Sequence, residues 1–499
     1  MNKNEKYDTI IIGGGLGGLT AGAKLAKEGK KILLIEQHSK VGGCATVFHR
    51  KVKGKTITLE VGLHMMNGLD REDDFKRNVF NELNVYDNVE FVKVPEFYRF
   101  TNGRCDVIVP QDIPEAVSSL SEAFPNEKRA IENFFNDISH ISSAVDSGNF
   151  PELLKFSTLS VGEYLDGLTK NEDLKMALTA NLGYYHDDPY TLSMIFFAVP
   201  QDSFFTGGGH FIKGGSQVLS DYLGKVITEN GGDVVLNHLV TEIITEDGNA
   251  IGVKYIHKKR EDLPELESFA KVIVANAAIP NVVNKLLGKK LQNTEYEHKV
   301  NSFEIACSLF TVYLAFSQPP SIIGNKYFST FITDNSVKTL KEAYDLEQTS
   351  DYIKKGFVFT DYSVFDSQLE GYIGALCGID HLDHWDKLSK VDYENRKEKL
   401  KKTLINRLNK LIPGIKDIII YSEVATPKTI VRYTQNPKGS VYGFAQTPNQ
   451  IGPFKSDIKK PPIKNLYYAS AWVGSGGFSG AIYSGYSCAL KVLKDMNKQ

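Results

Sequence analysis

The sequence has no long apolar run, little cysteine and almost no net charge. Its five cysteines are spread over 499 residues with no CxxC pair, which argues against a disulfide framework or a zinc ribbon. The 58 Lys and Arg residues nearly balance the 60 Asp and Glu residues, so global charge favours no nucleic-acid partner. The composition otherwise lies near the globular average, and a chain of this length predicts two domains.

No stretch approaches the roughly 18 apolar residues of a membrane-spanning helix. The nearest is 194–200 (MIFFAVP), which is far too short. Lysines occur in Met1–Asp8, but only Ile10–Ile12 follow before glycines begin, too few for the core of a signal peptide. We therefore expect a cytoplasmic protein, and any membrane contact is expected to be peripheral.

The N-terminal segment has the pattern of a strand, a glycine turn, a helix and a second strand. The strand is Tyr7–Ile12 (YDTIII), the turn Gly13–Gly18 (GGGLGG), the helix Leu19–Glu28 and the second strand Lys31–Glu36 (KILLIE). Two apolar strands flanking a helix are typical of a βαβ unit.

The glycine turn of this unit has the GxGxxG spacing, at Gly13, Gly15 and Gly18. The first glycine permits a tight turn, the second lets backbone approach a diphosphate, and the third lets helix and strand pack closely. The helix N-terminus that follows favours negative charge. Glu36 ends the second strand, where a carboxylate accepts hydrogen bonds from ribose hydroxyls. The segment therefore predicts a dinucleotide site.

Two more glycine turns favour a flavin over a nicotinamide. Val41-Gly42-Gly43-Cys44 follows Glu36, and 474–480 (GSGGFSG) precedes the last predicted helix. A large flat flavin needs backbone close to its edge, and a helix N-terminus aimed at it stabilises the negative charge of the reduced ring. We therefore predict FAD as the cofactor.

The middle of the chain alternates in character. Asn102-Gly103 and Asp247-Gly248 predict hairpin turns, and leucines four apart in Glu394–Leu411 predict a helix with one buried stripe. A strand at Leu466–Ser470 and a helix from Ser479 return to the opening style. The predicted fold class is α/β, a Rossmann-like FAD-binding domain interleaved with a mixed α+β substrate domain. The FAD-binding domain is predicted at 1–75, 205–290 and 442–499, and the substrate domain at 76–204 and 291–441.

Several motifs along the chain are shared with one family. They are GGGLGG with Glu36, VGGC at 41–44, LEVGLH at 59–64, HFIKGG at 210–215, VIVANAA at 272–278 and LYYASAWVGSGGFSGA at 466–481. Together they resemble the phytoene desaturase, carotenoid isomerase and retinol saturase group of FAD enzymes. The run 426–443 (TPKTIVRYTQNPKGSVYG) is most similar to the retinol-saturase-like and bacterial isomerase-like branches.

The resemblance implies an FAD-binding domain of the glutathione-reductase or amine-oxidase type and a role for each matching residue. The implied cofactor-binding residues are Gly13, Gly15, Gly17, Gly18 and Glu36 for the ADP half; Gly42, Gly43 and Cys44 along the pyrophosphate and ribityl; Val240 at the adenine; Glu60 and Gly62 beside FAD; and Gly476, Gly477 and Phe478 at the flavin.

Three positions depart from the family pattern. Cys44 stands where many relatives have an arginine, Ala471 replaces an acid, and the usual aspartate-x-glycine is Glu60-Val61-Gly62. The implied FAD binding survives these changes, but individual phosphate contacts differ.

The resemblance also implies a long apolar substrate, a carotenoid, retinoid or unsaturated fatty acid. Desaturation, saturation and redox-neutral isomerisation of a carbon–carbon double bond all remain open, with reduction or isomerisation favoured. His64 is the candidate proton donor, with a hydrogen-bonded structural histidine as the alternative. No second GxGxxG follows a strand, so we expect no dedicated NAD(P)H domain, although transient reduction by NAD(P)H stays open.

Two alternatives keep the flavin, namely an amine oxidase and a non-catalytic flavoprotein. We predict no metal site, because the histidines of 381–386 (HLDHWD) lack the i, i+4 register of a helical metal pair. Nothing in the sequence indicates the oligomeric state.

Overall fold

The computed structural model describes residues 7–62 and 65–498, apart from the side chains of Pro453, Phe454 and Ser456. Its strands are β1 (Tyr7–Ile12), β2 (Ile32–Ile35), β3 (Val47–Val52), β4 (Lys55–Glu60), β5 (Met66–Asn67), β6 (Phe91–Lys93), β7 (Tyr98–Thr101), β8 (Asp106–Val109), β9 (Gly209–Ile212), β10 (Asp233–Val235), β11 (His238–Glu246), β12 (Asn249–His257), β13 (Leu266–Ala275), β14 (Ser308–Phe316), β15 (Ser329–Ile332), β16 (Phe357–Asp361), β17 (Tyr372–Asp380), β18 (Ile419–Ala425) and β19 (Leu466–Tyr468).

The α-helices connect these strands. They are α1 (Leu16–Lys27), α2 (Phe75–Glu82), α3 (Ile113–Ala123), α4 (Lys128–Ser147), α5 (Phe150–Leu153), α6 (Val161–Leu168), α7 (Glu172–Leu178), α8 (Met194–Gly207), α9 (Gln217–Glu229), α10 (Ile279–Asn281), α11 (Glu295–Ser302), α12 (Leu340–Glu347), α13 (Lys390–Leu411), α14 (Ile415–Ile418), α15 (Pro427–Thr434), α16 (Pro453–Lys459) and α17 (Gly477–Met496).

The first sheet has the order β10-β2-β1-β13-β12-β11, with β19 also paired to β13. Strands β10, β2, β1, β13 and β19 run parallel, while β11 and β12 form an antiparallel extension. Strands β1 and β2 are buried on both faces, as their apolar runs Ile10–Ile12 and Ile32–Ile35 predict. The predicted strands Tyr7–Ile12, Lys31–Glu36 and Leu466–Ser470 are confirmed here to within two residues at either end.

Helices α1, α9 and α17 pack against one face of this sheet. The crossing of α1 and α17 is close because it uses glycine: a Cβ on Gly485 would lie 2.2 Å from the Gly17 carbonyl oxygen. The structure begins α1 at Leu16, three residues before the predicted start. The glycine turn is therefore shorter than the sequence pattern indicated, since Gly17 and Gly18 already belong to the helix.

The second sheet has the order β18-β14-β17-β16-β15-β7-β8 and is largely antiparallel. The predicted turn at Asn102-Gly103 is confirmed between β7 and β8, and the one at Asp247-Gly248 between β11 and β12. Helix α13 buries Leu400, Leu404 and Leu408 in the core that it shares with the second sheet, which confirms the predicted stripe.

Helices α4 and α8 form a third packed layer with α3 and α6. The apolar run 194–200 lies in α8, which has Pro200 in its interior. Of the helices in residues 7–62 and 65–498, none combines the length and apolarity needed to cross a membrane.

Candidate cofactor site and active-site cavity

The glycine turn and Glu36 are joined by hydrogen bonds at the carboxyl end of the first sheet. The Gly14 amide donates to Glu36 Oε2 at 2.7 Å, and the His38 amide donates to Oε1 at 2.9 Å. Glu36 is 5% exposed, so these amides also compensate the burial of its charge. The strand end thus holds the carboxylate beside the start of α1, the place at which the sequence predicts a ribose contact.

Two glycines of the segment Gly13–Gly18 are required by packing. A Cβ on Gly17 would lie 2.2 Å from the Ala469 carbonyl oxygen, and one on Gly18 would lie 2.2 Å from the Gly13 carbonyl oxygen. Asn276, at the end of β13, lies beneath the turn and donates from Nδ2 to the Gly13 carbonyl at 3.0 Å. The Asn276 side chain therefore helps to position the turn, a role that the sequence did not indicate.

The second glycine turn lies directly against the first. Gly42 has φ +124° and donates its amide to the Gly14 carbonyl at 2.7 Å. Gly43 has φ +62°, and a Cβ there would approach Gly15 Cα to 3.3 Å. Cys44 is exposed. Both glycine turns therefore lie together at the carboxyl edge of the first sheet.

Two helix N-termini at this edge have no side-chain cap from the described part of the chain. Helix α1 begins after Gly15 and α17 after Gly476, and neither has a side-chain cap or an acidic residue in its first turn. Free N–H groups and the helix dipole favour an anion at such ends. A Cβ on Gly474 or Gly477 would meet no atom within 4 Å. These features fit the diphosphate and the ring of FAD.

Glu60 is buried and bonds to the start of helix α9. Its carboxylate accepts from the Ser216 amide at 2.8 Å and from Ser216 Oγ at 2.7 Å, and the Gly62 amide approaches Oε1 at 3.3 Å. These protein contacts favour a positioning role for Glu60. Val240 is buried in β11, where the pairing with β12 is irregular. His64 lies outside the described residues.

The turn before α17 packs against Tyr442. A Cβ on Gly476 would lie 2.7 Å from the Tyr442 carbonyl oxygen, and the Tyr442 hydroxyl donates to the Gly183 carbonyl at 2.7 Å. Lys455 is buried and donates to the Gly474 carbonyl at 3.1 Å. Burial, reinforced by the charge of Lys459, lowers the pKa of Lys455 to about 7. Phe478 is half-buried and packs against the main core.

A cavity of about 200 Å³ extends from this edge along the second sheet. Its inner end is formed by Glu60, Val61, Gly62 and Tyr442, which adjoin the segments that hold Cys44 and Gly476. Its walls are mostly apolar and include Phe100, Met176, Leu182, Leu309, Phe331, Val358 and Ile379. Such a lining suits an elongated apolar molecule.

The outer end of the cavity is polar. His186, Asp187, Tyr344, Glu347 and Lys354 line it. Desolvation raises the pKa of Glu347 to about 7, against an opposing effect of the Lys355 charge. In the sequence, the segment 185–188 (YHDD) could place a polar group near a substrate, but Pro189 follows and favours an ordinary loop. The sequence indicates no role for Glu347, which lies far from this segment along the chain.

The histidines and aspartates of 381–386 are used in hydrogen bonds rather than gathered around a common point. His384 Nδ1 lies 2.6 Å from Asp380 Oδ1, and Trp385 donates to Asp380 Oδ2 at 2.8 Å. Over residues 7–62 and 65–498, no group of three or more His, Cys, Asp or Glu residues is arranged to hold a metal ion.

The parallel sheet, its glycine turns and the two uncapped helix ends define the class of dinucleotide-binding α/β oxidoreductases. Residues 16–493 match the model of the family described as flavin containing amine oxidoreductase. The chain belongs to this family, and it is an FAD-dependent oxidoreductase.

Curated relatives match over nearly the full chain. The all-trans-retinol 13,14-reductase of Danio rerio is 24% identical, with 98% of this chain and 86% of that protein covered. The chloroplastic prolycopene isomerase of Daucus carota is 26% identical, with 99% and 81% covered. A triple mutant of putrescine oxidase has a similar structure, with a TM-score of 0.68, 13% identity, and 98% and 99% of the two chains covered. The family suggested by the sequence motifs is thereby confirmed.

Proposed function

We propose that this enzyme saturates, desaturates or isomerises carbon–carbon double bonds of a long apolar polyene or unsaturated lipid. The observation that carries the proposal is the apolar cavity, whose inner end adjoins the proposed flavin site. Relatives named for a retinol reductase and a prolycopene isomerase support the same class of substrate. A carotenoid, a retinoid and an unsaturated fatty acid are the candidate substrates.

The proposed cofactor contacts follow the three glycine turns. Gly13, Gly15, Gly17, Gly18 and Glu36 would hold the ADP half, with Val240 at the adenine. Gly42, Gly43 and Cys44 would lie along the pyrophosphate and ribityl, Glu60 and Gly62 beside the cofactor, and Gly476, Gly477 and Phe478 at the flavin. Bound FAD would supply the acceptance and donation of a hydride.

The chain itself would bind, orient and dehydrate the substrate. The apolar cavity walls exclude water and align the molecule, while Tyr442 fixes the junction between the cavity and the turn at Gly476 by its hydrogen bond to Gly183. His64 is the proposed proton donor. The proposed division into an FAD-binding domain (1–75, 205–290, 442–499) and a substrate domain (76–204, 291–441) places this junction between them.

The remaining proposals concern the surroundings of the enzyme. NAD(P)H is proposed as a transient reductant, without a dedicated domain. A cytoplasmic location with peripheral membrane contact would give access to apolar lipids.

The test is anaerobic incubation of the holoenzyme with retinol, a carotenoid and linoleic acid, with the flavin oxidised and again after reduction. Mass spectrometry of the products then separates the reactions: gain of two hydrogens is saturation, loss is desaturation, and unchanged mass with altered retention is isomerisation. Any of these supports the proposal. Inertia towards all three lipids, or turnover of amines with release of peroxide instead, contradicts it.

The role of His64 has its own test. His64→Gln should lower the rate of the lipid reaction at least about tenfold while the protein keeps its flavin. A variant with wild-type rate and an unchanged pH profile would show that His64 transfers no proton.

A further inference from the structure

The two ends of the cavity differ in chemistry. The inner end adjoins the proposed flavin site, and the outer end is formed by His186, Asp187, Tyr344, Glu347 and Lys354. A wholly apolar molecule would leave the buried polar atoms of the outer end without partners, which costs free energy. The cavity therefore suits a molecule with one polar end.

Two atoms of the outer end make no hydrogen bond with the described residues. His186 is 2% exposed, and its Nε2 lies 3.0 Å from Thr191 Oγ1. Its Nδ1 has no hydrogen-bond partner within residues 7–62 and 65–498, although Asp187 Oδ1 is 3.2 Å away. Over the same residues, the buried Glu347 Oε2 accepts no hydrogen bond, and it lies 3.9 Å from Lys355 Nζ. Buried polar atoms in proteins are rarely left unpaired. A ligand group at this position would supply the missing partner.

The charges around these atoms oppose a carboxylate. Asp187 and Glu347 are both acids. The two cations that act on Glu347 have other partners: Lys355 donates to the Ile379 carbonyl at 2.9 Å and lies 3.6 Å from Asp380 Oδ1, and Arg407 donates to the Tyr352 carbonyl at 3.1 Å. Lys354 lines the cavity but is exposed, so solvent screens its charge. A hydroxyl group can both donate and accept, and so can pair with Glu347 in either protonation state and with a histidine nitrogen.

We propose that His186 and Glu347 form a binding site for the polar end of the substrate, and that this site selects a hydroxyl group over a carboxylate. This inference rests on the proposed function only in assigning the cavity to the substrate. The substrate would be an amphipathic unsaturated alcohol, held with its hydroxyl at the outer end and its double bonds towards the flavin site.

The test measures binding to the holoenzyme by isothermal titration, independently of turnover. The probes share one chain: linoleyl alcohol, linoleic acid, linoleyl amine and the corresponding hydrocarbon. The alcohol should bind at least about tenfold more tightly than the acid and the hydrocarbon, the value of one hydrogen bond to a charged partner. Equal affinity for the alcohol and the hydrocarbon, or preference for the acid or the amine, would overturn the proposal.

Three variants test whether Glu347 is responsible for the tighter binding of the alcohol. Glu347→Leu should weaken binding of the alcohol about tenfold and leave the affinity for the hydrocarbon unchanged. Glu347→Gln keeps hydrogen-bonding capacity without the charge. It should therefore bind the alcohol with wild-type affinity and bind the acid more tightly than the wild type does. The matched control Glu342→Gln changes an exposed acid of the same helix that does not line the cavity, so it should alter neither. Flavin content and circular dichroism verify folding, and the Gln variant tests the proposal if the Leu variant does not fold.

The results separate this proposal from the proposed function. Tight, Glu347-dependent binding of the alcohol without any reaction would support the site and contradict the reaction. Conversion of every probe at equal affinity would support the reaction and overturn the site. Wild-type alcohol affinity in Glu347→Leu would also overturn it.

Discussion

The glycine turn of the first sheet and the cavity along the second sheet are built in opposite ways. The turn uses consecutive residues, 13–18, together with Glu36 at the end of the next strand. The cavity takes its lining from segments near residues 60, 100, 180, 310, 331, 347, 377 and 442. A site made by local geometry leaves a motif in the sequence, whereas a site made by long-range packing leaves only scattered apolar residues.

Of the changes proposed here, Gly17→Ala should have the largest effect on the glycine turn. The added Cβ would lie 2.2 Å from the Ala469 carbonyl oxygen, so backbone must move at the start of α1. We expect loss of bound FAD and a decrease of about 1–3 kcal/mol in the free energy of unfolding. Flavin absorbance and urea unfolding measure the two effects.

Gly167→Ala is the matched control for Gly17→Ala. Gly167 is an exposed residue of α6, and a Cβ there meets no atom within 4 Å. Its replacement should keep the flavin and gain up to about 1 kcal/mol of stability, because alanine loses less entropy in a helix. Full flavin content in both variants would refute the packing argument.

The pKa of Lys455 tests the electrostatics beside the glycine turn at 474–477. Burial lowers its pKa from 10.5 to about 7, so between these values the unfolded chain binds more protons and stability rises with pH. From pH 7 to pH 9 the contribution is about 2 kcal/mol. Unfolding titrations of Lys455→Met should lose this rise, and those of the exposed neighbour Lys460→Met should keep it. If the free energy of unfolding of Lys455→Met rose with pH as steeply as that of the wild type, the lowered pKa of Lys455 would be contradicted.

Glu347 tests the cavity side, and its effect has the opposite sign. Burial raises its pKa from 4.5 to about 7, so between these values the folded protein binds more protons and stability falls as pH rises. From pH 5 to pH 7 the contribution is about 2 kcal/mol. Glu347→Gln should remove this fall, while Glu342→Gln, on the same helix, should retain it. Retention of the fall in Glu347→Gln would argue that the carboxyl is well solvated.

Cys44→Ser should have the smallest effect. Cys44 is exposed beside the second glycine turn, and exposed substitutions change stability by no more than about 0.5 kcal/mol. We expect wild-type flavin content, stability and activity, because serine matches cysteine in size and keeps the main-chain groups proposed to lie along the pyrophosphate. Absorbance, urea unfolding and product formation measure the three. Loss of activity with full flavin content would instead assign Cys44 a redox role.

Much of the cofactor side could be predicted from sequence. The strand Tyr7–Ile12, the two glycine turns and the final helix follow from apolar runs, glycine spacing and turn residues, all of which act over a few residues. The predicted start of α1 lies three residues too late because no polar N-cap residue precedes Leu16 to mark the boundary. The role of Asn276 was missed because 263 residues separate it from the Gly13 carbonyl.

The cavity could not be predicted in the same way. His186 lies in a loop before Pro189, and Glu347 ends a short helix, α12, so each resembles an ordinary surface residue in its own segment. Both residues line one cavity only because α12 and the loop after α7 are placed against β16 and β17. Burial and the charges of distant segments then determine the protonation of Glu347, which no local pattern encodes.

Sequence alone determined the family, the parallel βαβ start and the positions of the glycine turns, because these rest on backbone conformations that neighbouring residues impose on one another. Only the tertiary structure decided that an apolar cavity runs from Gly62 to Glu347 and ends in unpaired polar atoms. The physical reason is that hydrogen-bond satisfaction and desolvation are properties of the packed assembly, in which residues hundreds of positions apart become neighbours.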